Sequence, residues 1–243
     1  MKAVLYGDMH GTPLDGIINV IAAEDPDAVF CLGDFDTVEV IHQQIGLEEA
    51  LRAVGKTVLT VPGNHDYALI ADEEFQSQQV FEDLNTSYTR LRDELREDTE
   101  ACNYILRLLK TAKHTFDLDP EMPTRMPTIL IHAGLDGCLS THMTECPDFK
   151  KFMWYRLKEQ EHFEKNFAKM EEAGITLMLR GHDHNPGYAL KRDNHVFFTG
   201  LVSDIQLDRD TMFTITPGAY RLGHYVLIDT SSGRPIVSFR QVH

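Results

Sequence analysis

The chain has 243 residues, 42% of them hydrophobic and 25% charged, with a formal net charge of −15. These proportions belong to a globular protein that builds a large core without disulfide or structural-metal staples. A surface this acidic repels nucleic acid, and no Lys/Arg-rich stripe reverses the field, so tight nucleic-acid binding is disfavoured.

Four cysteines, Cys31, Cys102, Cys138 and Cys146, form no CxxC pair. Cys31 lies in an apolar strand as a free buried thiol, which suits a reducing compartment. The first strand begins at residue 2, and no apolar run approaches the length of a membrane span. The expectation is a cytoplasmic chain without signal peptide or membrane contact. The length fits one domain, residues 1–243, with an insertion.

In chain order, "KAVLY" is the first strand. Residues 14–23 follow as a helix, with Leu14, Ile17, Ile18 and Ile21 at helical spacing, until Asp25-Pro26 breaks it. "DAVFCLGD" is the second strand, and residues 37–54 form a helix whose buried face is Val38, Ile41, Ile45 and Leu51. "KTVLTVPGNHD" supplies the third strand. Strands alternating with helices in this way predict βαβ units and a parallel sheet. From about residue 68 to residue 114 the pattern is helical and acidic, without a strand, clearest in Leu91, Leu95, Cys102, Leu106 and Leu109. It reads as a helical insertion or cap over the sheet edge, about residues 68–125, ended by a proline-dotted segment. "TILIHAG" is the fourth strand. Residues 149–170 read as one long amphipathic helix, with Phe149, Phe152, Met153, Leu157, Phe163, Phe167 and Met170 as its core-packing stripe. "ITLMLRGHDH" is the fifth strand. "VFFTG", "HYVLID" and "PIVSFRQV" close the chain as strands, which suggests a second, antiparallel-containing sheet packed on the first.

The five main strands end alike: Gly7-Asp8-Met9-His10, Gly33-Asp34-Phe35-Asp36, Gly63-Asn64-His65-Asp66, His132-Ala133-Gly134 and Gly181-His182-Asp183-His184. Parallel strands of an open sheet deliver their C-terminal ends to one edge, so these polar groups should converge. Glycine beside each would relieve the turn and let the backbone approach a bulky anion. In extended chain, residues i and i+2 point the same way, so Asp8 with His10, and His182 with His184, can each aim two donors at one place. Carboxylates and imidazoles without cysteine suit Mn, Fe, Zn or Ni. Asp8, His10, Asp34, Asn64, His132, His182 and His184 are too many for one site that keeps an open position. They are enough for two divalent ions sharing a carboxylate, the arrangement that clamps an in-line displacement at phosphorus.

Taken singly, Asp-x-His, Gly-Asp or Gly-Asn-His after a strand is a weak signal. Five such exits in one chain are a strong one. Asp183 faces solvent or supports a neighbouring histidine. Tyr220 and Arg221 reach the pocket rim or serve structure. The remaining histidines, His42, His114, His142, His162, His195, His224 and His243, read as ordinary surface or packed residues.

These blocks, D-x-H-G, G-D, G-N-H-D, a lone His and G-H-x-H in that order, resemble the calcineurin-like metallophosphoesterases. The resemblance runs from residue 3 to about residue 185, leaves the insertion uncovered, and returns in Thr216-Pro217-Gly218-Ala219. It implies an α/β fold: a four-layer α-β-β-α sandwich of two mixed sheets flanked by helices. It implies one metal on Asp8, His10, Asp34 and His184, with Asp34 bridging to a second on Asn64, His132 and His182, and manganese foremost in vitro. His65 would act as general acid or phosphate-binding cation. Where the phosphatase branch has G-D-x-x-D-R-G, this chain reads Gly33-Asp34-Phe35-Asp36-Thr37-Val38, so Asp36, Asp66 or backbone is left to orient His65. The activity implied is metal-dependent hydrolysis of a phosphomonoester or phosphodiester in a small phosphorylated substrate. The alternatives are a phosphodiesterase or nuclease, a diadenosine polyphosphate-type hydrolase, and a non-catalytic scaffold.

Overall fold

A computed structural model describes residues 1–68, 85–111, 113–121, 125–135, 156–193, 195–200 and 204–242. Strands β1 (Lys2–Tyr6), β2 (Ala28–Cys31) and β3 (Thr57–Thr60) run parallel, joined by helices α1 (Asp15–Glu24) and α2 (Val38–Ala53). Thr37 caps α2 by accepting from the Val40 amide at 3.3 Å, satisfying one of the free N–H groups of the first turn. Helix α3 (Asn64–Ala68) opens directly after the third strand exit, and α4 (Asn85–Glu97) and α5 (Thr99–Leu109) follow. The second half contains β4 (Lys113–Asp117), β5 (Pro127–Ile131), α6 (Gln160–Glu172), β6 (Leu177–Arg180), β7 (Gly187–Arg192), β8 (His195–Thr199), β9 (Ile205–Gln206), β10 (Met212–Thr216), β11 (His224–Asp229) and β12 (Ile236–Gln241).

Among the described residues these strands form two six-stranded mixed sheets, ordered β3-β2-β1-β11-β12-β9 and β4-β5-β6-β10-β7-β8. Alternate residues of each central strand face opposite ways. Ala3, Leu5, Phe30 and Leu32 of the first sheet meet Leu130, Leu177, Leu179, Phe213 and Ile215 of the second in one buried layer. Val4, Tyr6, Val29 and Cys31 turn outward onto Ile17, Ile21, Val40 and Ile41, while Ile129, Ile131 and Met178 belong with Phe163, Phe167 and Met170. The result is the four-layer α-β-β-α sandwich. A side chain such as Leu179, wholly buried between the sheets, contributes about 1.5–3 kcal/mol by leaving water. No helix among the described residues is long and apolar enough to cross a membrane.

Three expectations are corrected. The five donor-bearing strands do not share a sheet: β1, β2 and β3 lie in the first, β5 and β6 in the second. Both faces of these strands are apolar, and periodicity cannot tell a face that meets a helix from one that meets another sheet. The closing strands likewise divide, β11 and β12 joining the first sheet and β7, β8 and β10 the second.

Second, β4 falls where no strand was expected. It is an edge strand of mixed polarity, antiparallel to β5, and its His114 Nε2 donates to the Thr60 carbonyl at 3.1 Å. Strands β7, β9 and β10 were also not read as separate strands. Third, the helix expected as one unit over residues 149–170 is not continuous: residues 156–159 are non-helical, and α6 starts at Gln160. The His162 ring accepts from the Glu159 amide at 3.4 Å at its start, while Leu157 is buried ahead of it. The apolar stripe runs through the helix start because Leu157 packs from a non-helical segment. Phe149, Phe152 and Met153, with Cys138, Cys146, His142 and His243, lie outside the described residues.

Candidate metal centre

The two sheets align the C-terminal ends of β1, β2, β3, β5 and β6 at one end of the sandwich, and backbone bonds interlock the exits. The Asp8 amide donates to Gly33 O at 3.0 Å, His10 to Asp34 O at 2.8 Å, and Gly181 to His132 O at 2.9 Å. His132 Nδ1 donates across the sheets to the Leu32 carbonyl at 2.5 Å, which turns its Nε2 toward the pocket. Loops this close leave no room for a side chain at the glycines. A Cβ on Gly63 would lie 1.9 Å from Asp34 Oδ1, and one on Gly181 would lie 2.7 Å from Asp8 Oδ2. The glycines thus permit loop-to-loop contact; only Gly33 among the strand-exit glycines also needs its positive φ of 77°.

Among the described residues, six of the eight non-glycine residues with positive φ, Asp8, His10, Asp34, Asp36, His182 and His184, stand in these loops. Each such conformation is disfavoured and persists only because its surroundings hold it. The three left-handed pairs Asp8/His10, Asp34/Asp36 and His182/His184 break the extended geometry assumed from sequence, so their side chains are aimed by turns.

Ligand atoms of Asp8, His10, Asp34 and His184 all lie within 4.8 Å of one another. His10 Nε2 is 3.0 Å from His184 Nε2 and 3.8 Å from Asp34 Oδ2, and His184 Nε2 is 3.3 Å from Asp8 Oδ1. On the other side of Asp34, His132 Nε2 stands 3.3 Å from the same Oδ2 and 3.1 Å from Asn64 Oδ1. The His132 and His182 ring centroids are 5.2 Å apart. One carboxylate oxygen therefore faces both donor groups. All seven predicted ligands are brought together.

The donor set fits cations on its own chemistry. Asp34 Oδ2 and His182 Nε2 are buried without a hydrogen-bond partner, which is costly unless an ion satisfies them. Burial opposes a charge on His182, and so do the positive His132 and Arg156, which push it down to about 2 and leave an uncharged imidazole. Burial also opposes charge on His132, but Asp34 outweighs it and raises the ring to about 9, so a proton fills the place where a cation would bind. Burial likewise disfavours the ionised Asp34, yet the neighbouring imidazoles hold its carboxyl well below the usual range.

Beside this set stand His65 and Asp36. Asp36 Oδ1 is 2.8 Å from His65 Nδ1, and its Oδ2 is 2.9 Å from His10 Nδ1. The acid one residue early in the motif therefore reaches His65, and it orients a predicted ligand as well. Burial works against charge on His65, but Asp34 and Asp36 raise its pKa to about 9. Asp66, the third sequence candidate beside the metal set, is not presented to the pocket. Its carboxylate accepts from the Asp34, Phe35 and Gly63 amides at 2.8, 2.9 and 2.7 Å, which organises the loop. Burial, then the charge of Asp34, push it up to about 7 against those three donors.

The family model for calcineurin-like phosphoesterases matches residues 1–186. The chain belongs to that family. Membership supports a metal-dependent phosphoesterase and places the matched region over every strand exit described above. No curated protein matches the sequence. Among solved structures, a metallophosphoesterase from Sphaerobacter thermophilus is 18% identical with a TM-score of 0.62, covering 100% of this chain and 88% of that one. A hypothetical protein, PH1004, from Pyrococcus horikoshii OT3 is 11% identical with a TM-score of 0.65 at the same coverage. At these identities the likeness is one of fold.

Two arginines complete the surroundings. Arg221 Nη2 lies 3.2 Å from His184 Nδ1, at the rim where sequence reading had placed it as one of two options. Tyr220 takes the structural option, its hydroxyl accepting from the Ile17 amide at 3.0 Å. Arg156 was missed: its Nη1 donates to the His182 carbonyl at 3.0 Å, from a segment outside any motif that sequence could flag.

Proposed function

We propose that this chain hydrolyses a phosphomonoester or phosphodiester of a small substrate at a centre of two divalent ions. Asp8, His10, Asp34 and His184 would hold one ion, and Asn64, His132 and His182, with Asp34 shared, the other. The observation that carries the reading is Asp34 Oδ2, buried without a hydrogen bond and set between both imidazole groups, 3.8 Å from His10 Nε2 and 3.3 Å from His132 Nε2. When bound, such ions lower the pKa of a water and offset charge on phosphoryl oxygens, with manganese our first choice among Mn, Fe, Zn and Ni.

The chain's own groups do the rest. Asp8 is kept in place by accepting from the His182 amide at 3.0 Å, so one ligand loop steadies another. Asp36 fixes the ring planes of His10 and His65 together. His65, protonated at neutral pH, faces the open side of the pocket and supplies a proton or a positive charge to the departing oxygen. Arg221 adds positive charge at the rim, so a phosphoryl group meets a locally favourable field on an acidic protein.

The test is elemental analysis of the purified protein together with rates on nitrophenyl phosphate and bis-nitrophenyl phosphate in added Mn. About two ions per chain and Mn-dependent turnover are expected. The preferred ester assigns the monoesterase or diesterase class. A protein that binds one ion or none under saturating Mn, and turns over neither ester, rejects the proposal.

A further inference from the structure

Behind the loop 181–185 lies a cavity of about 280 Å³ between α6 and the outer face of the second sheet, lined by Phe163, Arg180, Asp183, Tyr188, Phe198 and Thr214 among others. None of the seven metal donors lines it. We propose that this cavity binds a planar heterocycle bearing a hydrogen-bond acceptor beside a donor, the class that includes the nucleobases.

The argument begins with Arg180, which is 1% exposed. Its Nε donates to the Ala133 carbonyl at 3.3 Å and its Nη1 pairs with Asp183 Oδ2. Nη2 is left buried without a partner, and so is Asp183 Oδ1. A guanidinium nitrogen and a carboxylate oxygen are thus both without a hydrogen bond, on two ion-paired residues that line one cavity. Buried polar atoms are normally satisfied, so this pair is suited to a ligand edge offering an acceptor to the guanidinium and an N–H to the carboxylate.

Two further features select a flat ring. The Phe163 and Phe198 rings stack at 5.0 Å with 16° between their planes, and Phe198 stays 48% exposed although it lines the cavity. Tyr188 adds a third aromatic to the lining. Stacking on aromatic walls with hydrogen bonds at the ring edge is how proteins hold an isolated base. Charge selects a neutral ring, because Arg180 and Asp183 cancel and, among the described residues of the lining, the remaining charged one, Lys158, is exposed. The space is much larger than the roughly 30 Å³ of a single water.

The site does not depend on hydrolysis, so it is tested with metal chelated. Adenine, hypoxanthine, cytosine and uracil are titrated into the full chain, with binding read by saturation-transfer NMR and calorimetry and inorganic phosphate as control. At least one base should bind at millimolar concentration or below, while phosphate should leave that binding unchanged. Phe198→Ala should weaken it by about tenfold without altering nitrophenyl ester turnover in the metal-loaded enzyme, since one base stacks on this ring. Asp183→Asn should weaken it similarly, and if that variant fails to fold, Phe198→Ala decides alone. A free base that inhibits nucleoside monophosphate hydrolysis competitively marks the cavity as the place of the substrate's own base. One that changes nitrophenyl turnover without competing marks a separate effector. No binding by any base, or affinities within twofold of wild type in both variants, means the unmet atoms are served by water and overturns the proposal.

Discussion

Two buried polar clusters lie close together in this molecule, and they are built on opposite principles. One sits behind β1 and β3, where Glu48 Oε1 accepts from Tyr104 Oη at 2.6 Å, Thr60 Oγ1 at 2.5 Å and Gln44 Nε2 at 3.2 Å, while Tyr6 donates to Gln44 at 2.6 Å and Arg52 pairs with Glu48 Oε2 at 2.8 Å. None of its buried side-chain atoms is left without a hydrogen bond. The other is the candidate metal centre, where Asp34 Oδ2 and His182 Nε2 are buried without a hydrogen bond and six residues hold left-handed backbone. A saturated network stabilises the fold and has nothing further to bind. An unsaturated, strained one is destabilising by itself, and its persistence marks the place where a ligand completes it.

The sharpest way to break this contrast is Asp34→Asn. The amide keeps an acceptor for the His65 N–H and tolerates the left-handed backbone, but it removes the shared charge. Turnover should be abolished and metal content should fall, while the fold survives in the absence of metal, as read by elemental analysis and circular dichroism. A variant that keeps both ions would refute the shared role of Asp34. Next in size is His65→Ala, which should slow turnover by roughly 10²–10⁴-fold with metal content near wild type. The sign of the pH effect follows from its raised pKa: the cationic ring predominates below about 9, so kcat should fall as pH rises through that value, and the variant should lose that limb. A His65→Ala protein stripped of metal would contradict the assignment.

In the saturated cluster the same logic predicts a stability effect without a catalytic one. Glu48→Ala strands Tyr104, Thr60 and Gln44 and should cost about 3 kcal/mol in urea unfolding, with kcat unchanged below the transition. A large loss of kcat with unaltered stability would erase the distinction between the clusters. The smallest effect belongs to Thr37→Ala, next to Asp36 in sequence but engaged only in capping α2. It should cost about 1 kcal/mol and leave metal content and turnover alone.

Much of this site was legible because its chemistry needs particular residue types at strand ends. Asp8, His10, Asp34, Asn64, His132, His182 and His184 were nominated from donor type and position, and each is found in the cluster. Asp66 stood beside Asp36 and backbone as an option for orienting His65, since the loop amides that take up its carboxylate carry no signature in the letters. The strands β4, β7 and β10 were hidden for a related reason. Antiparallel strands need not be fully apolar, and β4 in particular reads as polar as a loop.

By itself the sequence determined which chemistry is available here: apolar strands that must be buried, helices that must cover them, and imidazoles and carboxylates placed where strands end. Those are local properties, set by side-chain type and spacing. Only the tertiary structure decided that the strands divide between two facing sheets, that Asp36 reaches both His10 and His65, and that Arg180 and Asp183 keep unmet atoms beside a cavity. Each of these depends on contacts between residues distant along the chain, and a local pattern holds no record of what lies opposite an apolar face or a carboxylate.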